Sequence, residues 1–547
     1  MENLGFDSKD VKVGEKSAVE YEKEKAQNEK NPMVQLEDAL QLCKFGRFHY
    51  RLLLTTLCAT FATTMVTTTS SYILPSAECD LGMTNVQKGV LNAVPFVGQV
   101  GAALFTGFCT DAFGRKMFLV GGNLGILMCS LFEGLSQNYW MLILGKLIEG
   151  IFLSFSTSGT TTIVSEMTPR HVRDRVLLIM CSFMSISLIV TALMSWAILP
   201  QPWHFVLSPH FELHSWNIYL IVCSVWSLIA CVMYYYLPES PKWLLIHGQE
   251  DKALKILKNI YAENTGEPAE SFPIESLKMV GGAPTISSKD ISIKKKISEG
   301  LRSSGDLFRR PLVWKLILFS AITFVCLLAY SAMRLWYPQL STMIEAYVKN
   351  HQSTASFCEM VTNYKEVVTP MLVNSTDVLL VKNITDPEIC VPHLSGTETY
   401  VNNIIMGLIS LLCFAISTYI VDYTGHKVLI FACFVLCAAC SVSLYWATSS
   451  MSVALLVSCS CALVQAALSL QQVIVVGVFP TNSRSLAFSV VLMSGRIGSL
   501  VGNILFPILL EFGCMAPFIL LAVITLGIAS IVYFMPSVKK EGEGGKQ

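Results

Sequence analysis

About a dozen stretches of this chain are long and apolar enough to cross a lipid bilayer, which takes roughly 20 residues in a helix. They begin near Leu52, Gly89, Met117, Met141, Val176, Trp216, Val313, Tyr400, Val428, Ser452, Arg484 and Ala516. Inside lipid every backbone N–H and C=O must find a partner within the protein, so such runs are expected to be helices. Composition agrees: 53% of the 547 residues are hydrophobic and 14% are charged, against about a quarter charged in a soluble domain. The expectation is an all-α membrane protein of twelve transmembrane helices embedded in a lipid bilayer.

Lysine plus arginine equals aspartate plus glutamate, 39 of each, so overall charge points to no nucleic acid partner. Its distribution carries more. Arg115 and Lys116, then Arg170, Arg173 and Arg175, then Lys427, Arg484, Lys539 and Lys540 follow even-numbered runs. The gaps after odd-numbered runs, such as 76–87, 200–215 and 448–451, hold no lysine or arginine. The positive-inside rule then puts both termini in the cytosol. Residues 1–51 form a polar tail rather than a cleavable signal, so the first run is expected to act as the insertion signal. Six runs fill 52–237 and six fill 313–535, with a short tail over 536–547.

Two polar segments interrupt this rhythm. The lysine-rich stretch 238–312 carries Ala253, Leu254, Ile256, Leu257, Ile260 and Tyr261 at helical spacing. Two readings stand: an amphipathic helix on the membrane surface, or a linker helix packed on the bundle. The other stretch, 341–399, falls outside the cytosol and holds two glycosylation sequons, at Asn374 and Asn383. Sequons matter only on that side, which supports the orientation independently. Cys358 and Cys390 lie in the same segment as a candidate disulfide, with Cys79 a third candidate on that face.

After the second run comes Gly107-Phe108-Cys109-Thr110-Asp111-Ala112-Phe113-Gly114-Arg115-Lys116. A tight turn needs glycine, the acid can accept from helix amino ends or arginine, and the cations anchor the loop inside. A degenerate copy, Asp422-Tyr423-Thr424-Gly425-His426-Lys427, follows the eighth run, six runs later. Glu166 and Arg173 after the fourth run are matched by Gly477 and Arg484 after the tenth, again six runs on. Pro238-Glu239-Ser240-Pro241-Lys242-Trp243-Leu244-Leu245 closes the sixth run.

These motifs resemble the loop signatures of the major facilitator superfamily, the last being shared by sugar porters, organic ion transporters and their relatives. A closer resemblance is to the synaptic vesicle glycoprotein 2 family. It is carried by Phe45-Gly46-Arg47-Phe48, Leu74-Pro75-Ser76-Ala77-Glu78, Trp196-Ala197-Ile198-Leu199-Pro200, His214-Ser215-Trp216 and Trp336-Tyr337-Pro338, and covers nearly all of 45–536. It weakens in the loop 341–399, which is far shorter than in the vertebrate vesicle proteins. The resemblance implies two pseudo-symmetric six-helix bundles that rock between inward and outward openings, carrying a small organic solute. It implies a cytoplasmic gate of Gly107, Asp111, Gly114, Arg115, Lys116, Glu166, Arg173, Asp422 and Arg484. The membrane would be the plasma membrane or a secretory or synaptic vesicle membrane, and the protein a monomer.

The sequence also departs from that family. Thr63 and Val66 stand where it carries an acidic pair in the first helix, and Gln472 and Leu468 where it carries an aspartate and a tryptophan in the tenth. The usual proton or cation site is thereby removed, and a transport-silent vesicle trafficking or receptor protein stays open as the alternative. Lys146 and Glu149, three apart, either neutralise each other or serve substrate. Arg334 snorkels or meets ligand, Arg496 is the remaining intramembrane cation, and Trp196 is a cavity aromatic or an interfacial anchor. With Trp336, the residues Trp196, Lys146, Glu149 and Arg334 make up the expected substrate cavity. Sugar itself is disfavoured, because the seventh run lacks a glutamine-rich pattern. No zinc-binding H-E-x-x-H, phosphate-binding G-x-x-x-x-G-K or G-x-S-x-G elbow occurs, so neither an enzyme nor a cofactor is expected.

Overall fold

The computed structural model describes residues 32–209, 211–277, 309–310, 312–351, 353–363, 395–479 and 484–535. Asn374, Asn383 and Cys390 lie outside these residues. In chain order the first helices are α1 (Pro32–Leu42), α2 (Arg47–Leu81), α3 (Asn85–Phe113), α4 (Arg115–Gly134), α5 (Tyr139–Met167) and α6 (Arg170–Ile198). An antiparallel hairpin of β1 (His204–Ser208) and β2 (Phe211–His214) leads into α7 (Ser215–Cys223) and α8 (Val225–Tyr236). Two shorter helices follow, α9 (Pro241–Ile246) and α10 (Glu250–Thr265). The second half has α11 (Leu312–His351), the short α12 (Phe357–Thr362), α13 (Thr397–Thr424), α14 (His426–Ser443), α15 (Ser450–Val478), α16 (Arg484–Phe512) and α17 (Ala516–Val532).

Among the described residues ten helices are long and apolar enough to cross a membrane, α7 and α8 counting as one. With α3 and the shorter α17 they make twelve, each containing one of the run starts read from the sequence. The threonine-crowded α2 survives as a helix because its hydroxyls bond within it. Thr56 donates to the Leu52 carbonyl at 2.7 Å, Thr60 to Thr56 at 2.8 Å and Thr68 to Thr64 at 2.7 Å. Back-bonding of this kind satisfies the side chain where no water is present.

The two copies of the loop motif share a turn. Gly114 separates α3 from α4 with φ of 104°, and Gly425 separates α13 from α14 with φ of 79°. A side chain at positive φ meets its own backbone, which is why glycine stands at both.

The described residues form two compact units. In the first, drawn from 32–51, 165–175 and 239–277, α1 and α10 meet apolar face to apolar face. Leu36, Ala39 and Leu40 of α1 and Ala253, Leu257 and Ile260 of α10 are all sealed. The linker helix therefore turns Ala253, Leu257 and Ile260 toward protein, while Leu254, Ile256 and Tyr261 stay half-buried. Asn264 fixes the arrangement: its amide donates to the Cys43 and Lys44 carbonyls at 2.9 and 3.0 Å and its oxygen accepts from Phe48 N–H at 3.0 Å. Arg51 pairs with Glu263 at 2.9 Å. Burial beside α10 pushes the Cys43 thiol up to about 12, since an ion there has lost its water.

The second unit holds the remaining described helices. α11 packs most extensively on α16, and α16 also packs on α3. One large apolar core runs through α11, α14, α15, α16 and α17, and a smaller one joins α2, α5, α6 and α7 with Tyr400 of α13. Two expectations are corrected here. Cys358 is bonded to Cys514, with a Cα separation of 5.5 Å, and not to Cys390; Cys79 is also in a disulfide. Trp336 is 2% exposed, stacks on Phe506 at 5.6 Å and donates from its indole to the Asn503 carbonyl at 3.3 Å. It fills the α11–α16 interface.

Candidate functional site

Spacing puts Lys146 and Glu149 one turn apart on α5, and the fold adds a partner that the sequence reading missed. Lys146 Nζ lies 2.7 Å from Glu149 Oε2 and 2.7 Å from Glu133 Oε2 on α4, with all three side chains at 0–1% exposure. The third ammonium proton reaches Thr69 Oγ1 on α2 at 3.3 Å, and Glu149 Oε1 accepts from Ser130 at 2.6 Å. A lysine has three donors, and here each has a destination on a different helix or turn. The set holds two carboxylates to one ammonium, so one more proton would bring it to neutrality. Beside it lies a small cavity lined by Ala62, Met65, Val66, Thr69 and Cys223. Val66, one of the positions where the resembled family carries an acid, thus faces the triad. Glu133 sits next to Gly134 at the end of its run, where a juxtamembrane charge is unremarked; only its three-dimensional pairing marks it.

The arginines are arranged differently. Arg496 of α16 donates to Ser154 Oγ of α5 at 3.0 Å and more distantly, at 3.5 Å, to the Gln99 carbonyl of α3 and Thr157 Oγ1 of α5. Twelve residues into α16, it sits about 18 Å from that helix end at 1.5 Å per residue, near the middle of a bilayer. Arg334 of α11 is 7% exposed, donates to Thr68 Oγ1 of α2 at 3.0 Å and lies over the Tyr330 ring at 5.2 Å, while its Nε finds no acceptor. Among the described residues neither arginine has a carboxylate partner. Both instead join the first six helices to the second six through neutral oxygens.

The expected gate residues fall in both units. Gly107 and Asp111 belong to α3, Asp422 to α13, and Arg484 opens α16; the side chains of the last three lie outside the described set. Arg115 is buried and donates to the Thr110 carbonyl at 3.2 Å, and Lys116 lies over the Tyr235 ring at 5.5 Å. In the other unit Glu166 accepts from Ser240 Oγ at 2.5 Å, joining the end of α5 to the turn before α9. Arg173 holds both Glu37 oxygens, at 2.8 and 2.9 Å, and the Thr168 carbonyl. Glu37 was not foreseen, because nothing local in the sequence ties it to a residue 136 positions away. Trp196 stands 39% exposed on α6.

Membrane-length helices in two sets of six, matched glycine turns, and ion sets sealed at membrane depth define a multi-pass integral membrane protein with a transporter fold. A family model described as sugar (and other) transporter matches residues 24–372, and one for the major facilitator superfamily matches 388–547. The first covers more than half of the chain, which belongs to the sugar (and other) transporter family of the major facilitator superfamily, as a member or close relative of its synaptic vesicle glycoprotein 2 group. Synaptic vesicle glycoprotein 2C of Rattus norvegicus is 31% identical over 291 residues, 50% of this chain and 39% of that protein. Synaptic vesicle glycoprotein 2B of the same species is 29% identical over 262 residues, 47% and 38%. The aligned stretch thus spans well under half the length of these curated relatives. The xylose transporter of E. coli, in a partially occluded inward-open conformation, matches with a TM-score of 0.61 at 14% identity, covering 90% of this chain and all of that one. At that identity the likeness is one of fold.

Proposed function

We propose that this chain is a secondary-active-type transporter of a small organic solute, working by alternating access, with both termini cytoplasmic. Arg496 carries this reading. A cation near the bilayer middle costs several kcal/mol unless it meets a partner or a wet cavity, and Arg496 meets only neutral oxygens of the opposite six helices. Contacts of 3.0–3.5 Å to a hydroxyl and a carbonyl are ones that water or a solute anion replaces at small cost, since guanidinium prefers a bidentate carboxylate or phosphate. With Arg334 in a similar state, the solute class favoured is an organic anion. The xylose of the E. coli neighbour is not carried over: α11 holds one glutamine, Gln339, and an unpaired guanidinium gains more from an anion than from a neutral sugar.

The Glu133–Lys146–Glu149 triad supplies the coupling group that the first helix lacks. A site with two acids, one amine and a small cavity beside them can take up and release one proton as its surroundings open. The second reading, a transport-silent vesicle protein, is supported by Thr63 and Val66 standing at the family's acidic positions and by the vesicle glycoproteins among its relatives.

Proteoliposomes loaded at set pH separate the two. Saturable uptake of a labelled organic carboxylate or phosphate, lost in Arg496→Gln and pH-independent in Glu133→Gln, is expected. Flux of an organic cation alone would reject the anion class while keeping the transporter. No solute-dependent flux for any class would leave the silent protein.

A further inference from the structure

The hairpin between α6 and α7 carries a set of ligands that transport does not use. We propose that His204, Glu212 and His214 form a binding site for a divalent transition ion, Zn²⁺, on the face opposite the one bearing the cations. The antiparallel register pairs His204 with His214 and Val206 with Glu212. Side chains two apart on a strand share a face, and diagonal neighbours across a ladder are in reach. The hairpin therefore projects both imidazoles and the carboxylate together. His204 Nε2 is 3.0 Å and His214 Nε2 3.9 Å from Glu212 Oε2, and the three ligand atoms all lie within 4.8 Å of one another. The rings stack at 4.8 Å, 10° from parallel.

The base of the site is built rather than accidental. His214 Nδ1 faces Asp80 Oδ2 at 3.4 Å, and the same oxygen accepts the Trp216 indole N–H at 2.8 Å. With Asp80 beside Nδ1, the other ring nitrogen is turned toward Glu212, the arrangement of carboxylate–histidine–zinc pairs. Glu212 is held through its backbone, whose N–H and carbonyl both bond the Gln137 amide at 3.0 Å. Two imidazoles and a carboxylate are the donors that zinc takes with a fourth position left to water. Magnesium and calcium call for oxygen donors throughout and fit poorly. Because Asp80 closes α2, an ion here would tie the hairpin to the end of that helix. The site stands whether or not the chain transports.

The test uses the full-length protein purified without a histidine tag. Zn²⁺ is expected to raise the unfolding temperature while Mg²⁺ and Ca²⁺ do not. His204→Ala, at an exposed position, and Glu212→Gln, at a half-buried one, should each weaken the zinc response at least tenfold. Co²⁺ should give tetrahedral visible absorption in the parent and not in His204→Ala. No zinc shift in the parent, or variants whose shifts match the parent's, overturns the proposal.

Discussion

Glu133 of α4 reaches Lys146 of α5 at 2.7 Å in a site where neither side chain is more than 1% exposed. A charge sealed that way depends on its partner, since removing one member of a buried pair costs about 3–5 kcal/mol. Lys146→Met leaves two carboxylates facing each other and is expected to destabilise by that amount. Glu133→Gln leaves a one-to-one pair and should cost less. Thermal unfolding in detergent checks both, and a Lys146→Met protein as stable as the parent would show that the triad holds nothing together.

Gly114 and Gly425 are expected to behave alike. Alanine at a positive φ costs about 1–2 kcal/mol, so Gly114→Ala and Gly425→Ala should each lower stability by that much, whereas alanine at exposed Gly101 of α3, with open space around its Cβ, should not. Unequal losses at the two turns would show that the repeated motif is no longer used equivalently.

The Cys358–Cys514 bond closes a loop of 156 residues, and constraining a loop of that size typically contributes about 2–4 kcal/mol. Cys358→Ser and Cys514→Ser should therefore lose similar amounts, and the double variant no more than either. Peptide mapping without reductant should recover the two cysteines on one cross-linked fragment; recovery of Cys358 with Cys390 would refute the pairing.

The Cys43 thiol is pushed by burial from about 9 up to about 12, and the thiolate is the form that alkylates. At pH 8 it should react far more slowly with iodoacetamide than after unfolding. The sign for stability follows from linkage. Between pH 9 and 12 the unfolded chain has lost this proton and the folded chain keeps it, so the contribution of Cys43 burial falls as pH rises through that window. A folded protein labelled as fast as the unfolded one would contradict the buried position.

The twelve helices were legible because lipid allows little else for apolar runs of that length, and the turn motif because only glycine accepts its backbone. Partners across helices were not. Glu133 sits 13 positions from Lys146 and looks like an ordinary helix-end charge; only the α4–α5 contact makes it a member of the triad. Trp336 carried a family marker and drew attention to a cavity, yet aromatic bulk at a helix interface fills space equally well, and Phe506 lies against it. His214 read as a marker before the sixth helix; its meaning came from strand register, which hydrophobic pattern does not set in a short exposed hairpin. Lys146 with Glu149 was correctly seen as a same-face pair, since helical spacing alone fixes that.

Asn264 fastens carbonyls that lie 221 and 220 positions earlier in the chain. At roughly 5–20 residues per second of synthesis, the ribosome needs on the order of ten to forty seconds to deliver that amide after Cys43 has emerged. For that interval α1 lacks the α10 face that packs on it, while six helices are being threaded into the membrane behind it. α1 is thus made well before the residue that fastens the turn after it, and a nascent chain halted before residue 264 would lack that clasp.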